Sequence, residues 1–369
     1  MTPDEDEEFE RDPVDEACEL NDEAVESFRV GRAEEAEELF RRALGILEES
    51  EGEDSPDVAN VVSSLGAVGE HRCDYKGAEE HYARAAAIMD AHEDSDDEDV
   101  RRLRLQTLSD LGRIRRVLGL FVAAEPFIKR SIAVAEEFFG PESVETAGAL
   151  NDLGMLYKFN GRFDDAEPLY QRALAILESS LGPDAVELAS IYHNLGGLEH
   201  ARGRHAAGEP HARRSVELRE RAHGPEHTDV AADVAALAAL LDGQEKFEES
   251  EPLYRRALDI FERAYGPDHY EVAVNLNNLA LVLDARGETA EAEALLKRAL
   301  IIKERLFGVD NVEWAMTANN LGVVYRDHGR IAEAEELFTR ALVAFERTLA
   351  EGHPNLAACR DNLTSLRRN

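Results

Sequence analysis

Apolar residues along this chain recur at intervals of three and four, which is the period of one face of an α-helix. Two such segments follow each other in residues 144–159 and 163–180. Gly161 separates them, since glycine accommodates the left-handed conformation that commonly follows a helix. Gly182 and Pro183 end the second segment, because proline cannot continue a helix. This stretch therefore predicts a helix, a tight turn, a second helix and an exit loop.

The same hairpin recurs along the chain at a nearly constant interval. When Ala166 is taken as the anchor of one copy, steps of 42 residues lead to equivalent small residues, and a single step of 46 residues separates the second anchor from the third. The eight anchors are Ala36, Ala78, Ala124, Ala166, Gly208, Ser250, Ala292 and Ala334. Small residues are expected where two helices cross closely. A fixed period of this length is typical of stacked repeats rather than of one globular core, and it predicts an all-α array.

The pattern divides the chain into three regions. We expect an acidic disordered tail over residues 1–13, eight hairpins over residues 14–352 and a capping helix over residues 353–369. The last helix begins at Pro354 and has no second helix with which to pair. It is therefore predicted to cover the apolar face of the final hairpin.

Several of the recurring residues resemble the tetratricopeptide repeat signature: Leu153, Gly154, Tyr157, Ala166, Tyr170 and Ala173. The unit is longer than the roughly 34 residues usual for that repeat, and its long form is similar to the repeats of the kinesin light chain. The resemblance extends over roughly residues 14–368. It implies a right-handed superhelical solenoid of helix-turn-helix repeats whose first helices line the concave side. It specifies the architecture better than the function, since such arrays serve many processes.

The net charge of −36, from 77 acidic and 41 basic residues, limits the classes of partner. Non-specific nucleic-acid binding needs a positive surface, and anionic membranes repel a negative one. We therefore expect neither nucleic-acid nor membrane binding, and favour protein or peptide partners that are cationic, or neutral and selected by shape. Adaptation of the surface to high salt remains a second interpretation of the charge.

No constellation of residues indicates catalysis. The chain has no phosphate-binding loop of the Walker type, no GxSxG and no HExxH. Cys18, Cys73 and Cys359 lack metal-ligand or redox spacing. We expect no enzymatic activity, no cofactor, no bound metal and no small-molecule substrate. The acidic N-terminus has no apolar signal region, and no apolar run approaches the ~20 residues of a membrane span, so a cytoplasmic location is expected.

Histidines are concentrated in the fifth repeat and at the starts of first helices. A zinc site or a pH sensor is one interpretation of this cluster. However, His227, His269 and His353 each fall where a first helix begins. We therefore expect surface or capping histidines rather than metal ligands.

Asparagine recurs 14 and 15 residues before the anchors, beside the buried leucine of the first helices. These residues are Asn151, Asn194, Asn277, Asn278, Asn319 and Asn320. Asparagine disfavours helix, so its repeated use indicates a role. An amide both donates and accepts hydrogen bonds and can pair with the backbone of an extended peptide; matching asparagines do so in the peptide-binding arrays that this chain resembles. Alternatively, the amides bond between neighbouring repeats and fix their stacking. Ala235 and Ala236 interrupt the series.

Basic residues on the same helices suggest selection by charge. We define the arginine stripe as Arg102, Gln106, Ser109, Arg113 and Arg116, which are spaced by three and four. Lys158 and Arg326 match Arg116 in other repeats, whereas Asp242 and Asp284 replace it in two more. Arg113, Arg116, Lys158 and Arg326 are therefore candidates for binding an acidic peptide or a C-terminal carboxylate. Alternatively, the stripe pairs with nearby acids, namely Asp94, Asp96, Asp97 and Glu98.

Taken together, these patterns predict a non-catalytic scaffold or adaptor that binds an extended segment of another protein in its concave groove. The alternative prediction is a regulatory subunit of a separate enzyme, such as a protease or a signalling ATPase.

Overall fold

The computed structural model describes residues 12–72, 74–349, 351 and 353–366. These residues form seventeen α-helices and no β-strand, so the predicted all-α fold is confirmed. The right-handed sense of the superhelix stays a prediction. Of the predicted disordered tail, residues 1–11 lie outside the described residues. Pro13, placed in the tail by the sequence, is instead the first residue of a helix whose N-terminal N–H groups are capped by the side chain of Asp12.

The helices follow the predicted order of first and second helices. The first helices are α1 (Pro13–Arg29), α3 (Pro56–His71), α5 (Glu98–Val117), α7 (Val144–Phe159), α9 (Leu188–Ala201), α11 (Thr228–Asp242), α13 (Tyr270–Ala285), α15 (Val312–Asp327) and α17 (Pro354–Leu366). The second helices are α2 (Ala33–Ser50), α4 (Tyr75–Asp90), α6 (Phe121–Phe138), α8 (Phe163–Leu181), α10 (His205–His223), α12 (Phe247–Tyr265), α14 (Thr289–Phe307) and α16 (Ile331–Thr348). The division into eight hairpin repeats and a cap stays a prediction.

The chain forms two compact units that divide between Leu156 and Tyr157, inside α7. We call them the N-terminal unit and the C-terminal unit. Within each unit, odd-numbered helices contact the next odd-numbered helix: α1 contacts α3 and α3 contacts α5, and the series from α9 to α17 continues in the same way. Among the described helices of either unit, no two even-numbered helices make such contacts. We call the surface of the odd-numbered helices the first-helix face.

The anchor positions are the points of closest helix packing. All eight anchors are buried. Gly208 shows why the residue must be small, since a Cβ atom there would lie 2.6 Å from Cδ2 of Leu240 and 2.9 Å from the carbonyl oxygen of Gly196. Large aromatic side chains such as Tyr170 and Tyr254 are buried one helical turn later. In these repeats a small anchor is thus followed by a large aromatic residue in the core.

A left-handed residue forms the turn inside the hairpins whose turns lie wholly in the described residues. Gly161 has a φ of 74°. Glu245 stands at the equivalent position and has a φ of 59°, and it is the one non-glycine residue with positive φ in the described part of the chain. Because the turn geometry persists without glycine, the conformation is imposed by the packing of the two helices rather than by the residue type.

The exit loops of the C-terminal unit are held by arginines of the following hairpin. In three successive repeats an arginine Nη2 donates a hydrogen bond to the proline carbonyl of the preceding loop, at 2.8, 2.6 and 2.8 Å. The pairs are Arg214 with Pro183, Arg256 with Pro225, and Arg298 with Pro267. These arginines therefore stabilise the stacking of neighbouring repeats and are separate from the first-helix face.

Candidate interaction surface

Asparagine amides on the first-helix face of the C-terminal unit bond to one another from helix to helix. Asn362 on α17 donates from Nδ2 to Oδ1 of Asn319 on α15, at 3.1 Å. Asn320 on α15 donates in the same way to Asn277 on α13, also at 3.1 Å. Asn277 then donates to Oδ1 of Asn278 at 3.0 Å. We call these five residues the amide ladder.

The ladder bonds correspond to the structural alternative considered from the sequence, because they link neighbouring repeats. They do not use up the amides, since each carboxamide has two N–H donors and two acceptor lone pairs. Asn277 is 8% exposed, whereas Asn278, Asn319 and Asn320 are partly exposed. The ladder bonds therefore fix the orientation of these amides and leave hydrogen-bonding capacity on each of them.

Asn362 is a member of the ladder that the sequence reasoning missed. It lies on the capping helix, which has no anchor from which to count. The repeat itself contains the missing signal, because Asn320 plus one period of 42 residues is Asn362. Leu363, the next residue, is buried as the equivalent Leu321 is. The capping helix thus continues the register of the first helices.

The remaining predicted asparagines lie outside this ladder. Asn194 on α9 is 5% exposed and accepts a hydrogen bond from Nζ of Lys158 at 3.3 Å. Gly197 makes room for that ammonium group, since a Cβ atom there would lie 3.2 Å from it. Asn151 on α7 is partly buried. Ala235 and Ala236 on α11 provide no amide, so the series is interrupted between Asn194 and α13.

The arginine stripe of the N-terminal unit is engaged by acids. Arg113 on α5 donates to both carboxylate oxygens of Glu70 on α3 and, at 2.9 Å, to Asp110. The hydroxyl of Tyr82 donates to the same glutamate at 2.7 Å. Burial raises the pKa of Asp110, although the charge of Arg113 opposes this shift. The guanidinium of Arg113, a candidate for binding an acidic peptide, thus lies between the carboxylates of Glu70 and Asp110.

Other arginines of α5 are paired as well. Arg102 bonds to Glu98 at 2.9 Å and to Glu145 at 2.8 Å, and Arg101 bonds to Asp96 at 2.5 Å. The structural alternative therefore holds for this end of the stripe.

Arg116 and Arg326 are two further candidates for binding an acidic peptide. Arg116 lies near Asp152, and Arg326 bonds to an asparagine amide and an aspartate. Burial raises the pKa of Asp152 to about 6, and the positive charges of Arg116 and Arg113 act in the opposite direction. Arg326 on α15 donates from Nη1 to Oδ1 of Asn362 at 2.9 Å, and from Nε to Asp327 at 2.7 Å. Arg326 is thus bonded directly to the last rung of the amide ladder.

The predicted capping role of the histidines is confirmed. Nδ1 of His227, His269 and His353 accepts the backbone N–H two residues further on, at 3.1, 3.3 and 3.2 Å. Each of these rings is therefore bound as a neutral acceptor at the start of a first helix. In the described residues, no three side chains of the metal-ligating types converge, and none of the described helices combines the length and apolarity of a membrane span.

Helical hairpins with a polar, amide-bearing first-helix face define a helical-repeat scaffold for protein interactions. Family models described as tetratricopeptide repeat match residues 24–91, 103–179, 187–248, 231–305 and 314–355. The chain belongs to the tetratricopeptide repeat family, and its repeats recur mostly every 42 residues. Proteins of this family are generally non-catalytic interaction scaffolds.

Three solved structures to which this chain is similar have sequence identities of 14–25%. BtubC (BKLC) from P. vanneervenii is 25% identical with a TM-score of 0.48, over 62% of this chain and 90% of its own. A putative kinesin light chain from Podosopora anserina is 20% identical with a TM-score of 0.44, over 56% and 98%. A Rap protein complexed with competence and sporulation factor is 14% identical with a TM-score of 0.54, over 96% and 98%, which shows a shared fold. No protein of curated function matches the chain.

Proposed function

We propose that the protein is an adaptor that binds an extended segment of a partner protein along its first-helix face. The observation that carries the proposal is the amide ladder, in which α13, α15 and α17 present amides already oriented by bonds at 3.0–3.1 Å. An extended backbone offers N–H and C=O groups alternately, and a carboxamide complements both. Because the amides are oriented before binding, less side-chain freedom is lost when a segment docks.

Affinity must come from several rungs acting together. A single hydrogen bond contributes only about 0.5–1.5 kcal/mol net. The ladder supplies rungs on three successive first helices, whereas α11 has Ala235 and Ala236 instead. The continuous binding segment therefore covers α13 to α17, and Asn194 and Asn151 each lie outside it.

Charged residues next to the amides select the side chains of the bound segment. Arg326 and Lys158 are bonded to asparagine amides, so an acidic side chain near either amide meets a positive charge. In the N-terminal unit, Arg113 and Arg116 bind acidic side chains of the segment. A carboxylate of the segment must compete there with Glu70 and Asp110 for Arg113. Selection for acidic residues is therefore stronger beside Arg326 and Lys158.

The test is affinity capture from the source cell with the full chain as bait. A ladder variant combines Asn277→Ala, Asn278→Ala, Asn319→Ala and Asn320→Ala, and Asn60→Ala on the exposed side of α3 is the matched control. We expect at least a tenfold loss of the captured partner with the ladder variant and none with the control, while circular dichroism shows unchanged helix content.

Equal capture by the ladder variant and the control would contradict the proposal. The identity of a ladder-dependent partner also decides between the two predicted roles, since capture of an enzyme whose activity changes on binding indicates a regulatory subunit rather than an adaptor.

A further inference from the structure

One position in the asparagine series of the first helices is occupied by a histidine backed by a buried carboxylate. His193 on α9 stands 15 residues before its anchor, where α13 and α15 have Asn277 and Asn319. Its Nδ1 lies 2.7 Å from Oδ1 of Asp233 on α11. The aspartate side chain is fully buried, whereas 32% of the histidine side chain is exposed. The ring therefore connects the interior to the first-helix face.

An arginine forms an ion pair with the carboxylate behind the ring. Nε of Arg219 on α10 lies 3.2 Å from Oδ2 of Asp233 as an ion pair. Its Nη2 donates to Oγ of Ser190 at 2.8 Å, and its Nη1 donates to the carbonyl oxygen of Asp229 at 3.4 Å. An aspartate held against a guanidinium is an acceptor only. Nδ1 of His193 must then carry the hydrogen, and Nε2 is the nitrogen that remains for a ligand.

Two opposite charges lie behind His193, and a lysine bonds to the residue beside it. Asp233 and Arg219 neutralise each other, and Lys158 on α7 bonds to the neighbouring Asn194. Further along α9, burial lowers the pKa of His200, and the nearby His205 and Lys158 act in the same direction. A positive charge therefore lies beside the asparagine next to His193, in a protein whose net charge is −36.

We propose that His193 is a proton-coupled binding position for an anionic side chain, either a carboxylate or a phosphate, of the segment that docks on the first-helix face. The bound anion accepts a hydrogen bond from Nε2 of the protonated ring, while Asp233 accepts one from Nδ1. Binding at this position takes up one proton wherever His193 is neutral in the free protein. This inference rests on the proposed function, because the anion belongs to a docked segment.

The proposal predicts that binding at His193 and binding at the amide ladder respond differently to pH. Asparagine does not titrate, so backbone capture by the amide ladder is independent of pH in this range. Anion binding at His193 strengthens as pH falls from 8 to 6, by at most tenfold per pH unit, because each binding event needs one proton. The two kinds of rung are therefore distinguished by the pH dependence of binding alone.

The experiment is a side-chain NMR titration of the full chain with isotope-labelled histidine and asparagine. The probes are acetate, inorganic phosphate and a glycine–serine heptapeptide with a central glutamate, phosphoserine or glutamine. We expect the Nδ1–H form of His193 at pH 8, and binding of the glutamate and phosphoserine peptides at least fivefold tighter at pH 6 than at pH 8. The glutamine peptide should show no such change.

His193→Asn is the central variant, since it installs the residue that α13 and α15 already have. It should keep the fold and abolish the pH dependence, and Asp233→Asn should weaken the dependence by removing the charge behind the ring. If Asp233→Asn does not fold, the tautomer of wild-type His193 still decides. A hydrogen on Nε2 at pH 8, or the same pH dependence in His193→Asn, would overturn the proposal.

The same titration distinguishes failure of this inference from failure of the proposed function. Peptides that shift the amide signals of Asn278 and Asn320 but leave His193 unchanged would support backbone capture and refute the anion position. Peptides that shift His193 alone would support the anion position and contradict capture by the ladder.

Discussion

The two compact units make the same link between successive first helices with different chemistry. In the N-terminal unit, Arg113 on α5 reaches Glu70 on α3, 43 residues earlier in the chain. In the C-terminal unit, Asn320 on α15 reaches Asn277 on α13, also 43 residues earlier. One link is ionic and the other joins two neutral amides. The repeat geometry thus fixes where neighbouring first helices meet, and the residue types decide what that contact leaves for a ligand.

The difference bears on which unit is open to a bound segment. A partly buried guanidinium between two carboxylates has its charge balanced, and a ligand carboxylate must displace one of its partners. An amide in the ladder keeps a donor and an acceptor after bonding to its neighbour. Under the proposed function, we therefore expect the ionic face to be chiefly structural and the amide face to be both structural and available for binding.

The largest expected effect comes from breaking the ionic link. Arg113→Ala leaves Glu70 and Asp110 without their shared guanidinium in a partly buried site, and removing one partner of such a group is strongly destabilising. We expect a loss of about 3 kcal/mol in the free energy of unfolding, measured by equilibrium urea unfolding. The effect should fall mainly on the N-terminal unit, as followed by hydrogen exchange of α3 and α5.

Arg102→Ala is the matched control for this variant. Arg102 lies on the same helix and pairs with Glu98 and Glu145, but half of its side chain is exposed, 49% by area. An exposed pair contributes roughly 0–1 kcal/mol. Equal losses for the two variants would show that burial does not distinguish the two ends of the arginine stripe.

A smaller effect is expected when a carboxylate of the N-terminal unit is replaced by the neutral amide that the C-terminal unit has at the equivalent position. Asp152 occupies the position at which the C-terminal unit has Asn278 and Asn320, and burial raises its pKa from 3.8 to about 6. Asp152→Asn removes the cost of keeping that charge in the folded protein. A shift of this size corresponds to about 3 kcal/mol on a scale of ~1.4 kcal/mol per pKa unit. Because Asp152 is partly exposed, solvent screening reduces this cost, and we expect the variant to be more stable than wild type by about 2 kcal/mol at pH 7.5.

The sign of the pH dependence distinguishes this explanation. Because the pKa of folded Asp152 lies above its ordinary value, the charge destabilises the protein above about pH 6 and has no effect below 3.8. The advantage of Asp152→Asn should therefore grow as pH rises from 4 to 7, in urea unfolding measured across that range. An advantage that is constant with pH would mean that the substitution acts through packing or helix propensity instead.

Much of the fold was predictable because the repeat is strongly periodic, whereas the partners of the site residues were not identified. Residues 144–159 and 163–180 were predicted as two helices, and the structure has α7 at Val144–Phe159 and α8 at Phe163–Leu181. The acids proposed for the arginine stripe were near in sequence, and Arg102 does use Glu98. Arg113 instead uses a residue one repeat away. Sequence spacing shows which residues share a helix face, but which of several polar neighbours bond across repeats depends on packing.

The units also differ in the residues that cap their first helices. Asp12, Ser55 and Asp97 cap α1, α3 and α5 in the N-terminal unit. The C-terminal unit uses histidine for α11, α13 and α17. The capping Nδ1 accepts a hydrogen bond only while it is unprotonated, and a positive charge at a helix N-terminus is unfavourable. Mild acid should therefore loosen helix starts in the C-terminal unit and spare those of the other.

The smallest expected effect, about 1 kcal/mol per cap, follows from removing this sensitivity to acid. Burial lowers the pKa of His353 from 6.5, so its contribution to stability is present above pH 6.5 and is lost as pH falls through the lowered value. In wild type, hydrogen exchange at the first turn of α17 should accelerate about fivefold between pH 7 and 5, after correction for intrinsic rates. His353→Asn should abolish that acceleration.

The chain contains its own control for the cap variant. Asn311 caps α15 through Oδ1, which accepts the N–H of Glu313 at 2.7 Å, and asparagine does not titrate between pH 7 and 5. Exchange at the start of α15 should therefore be unchanged over this range in wild type and in the variant. An acceleration at α15 equal to that at α17 would place the acid response in the packing of the C-terminal unit rather than in its histidine cap.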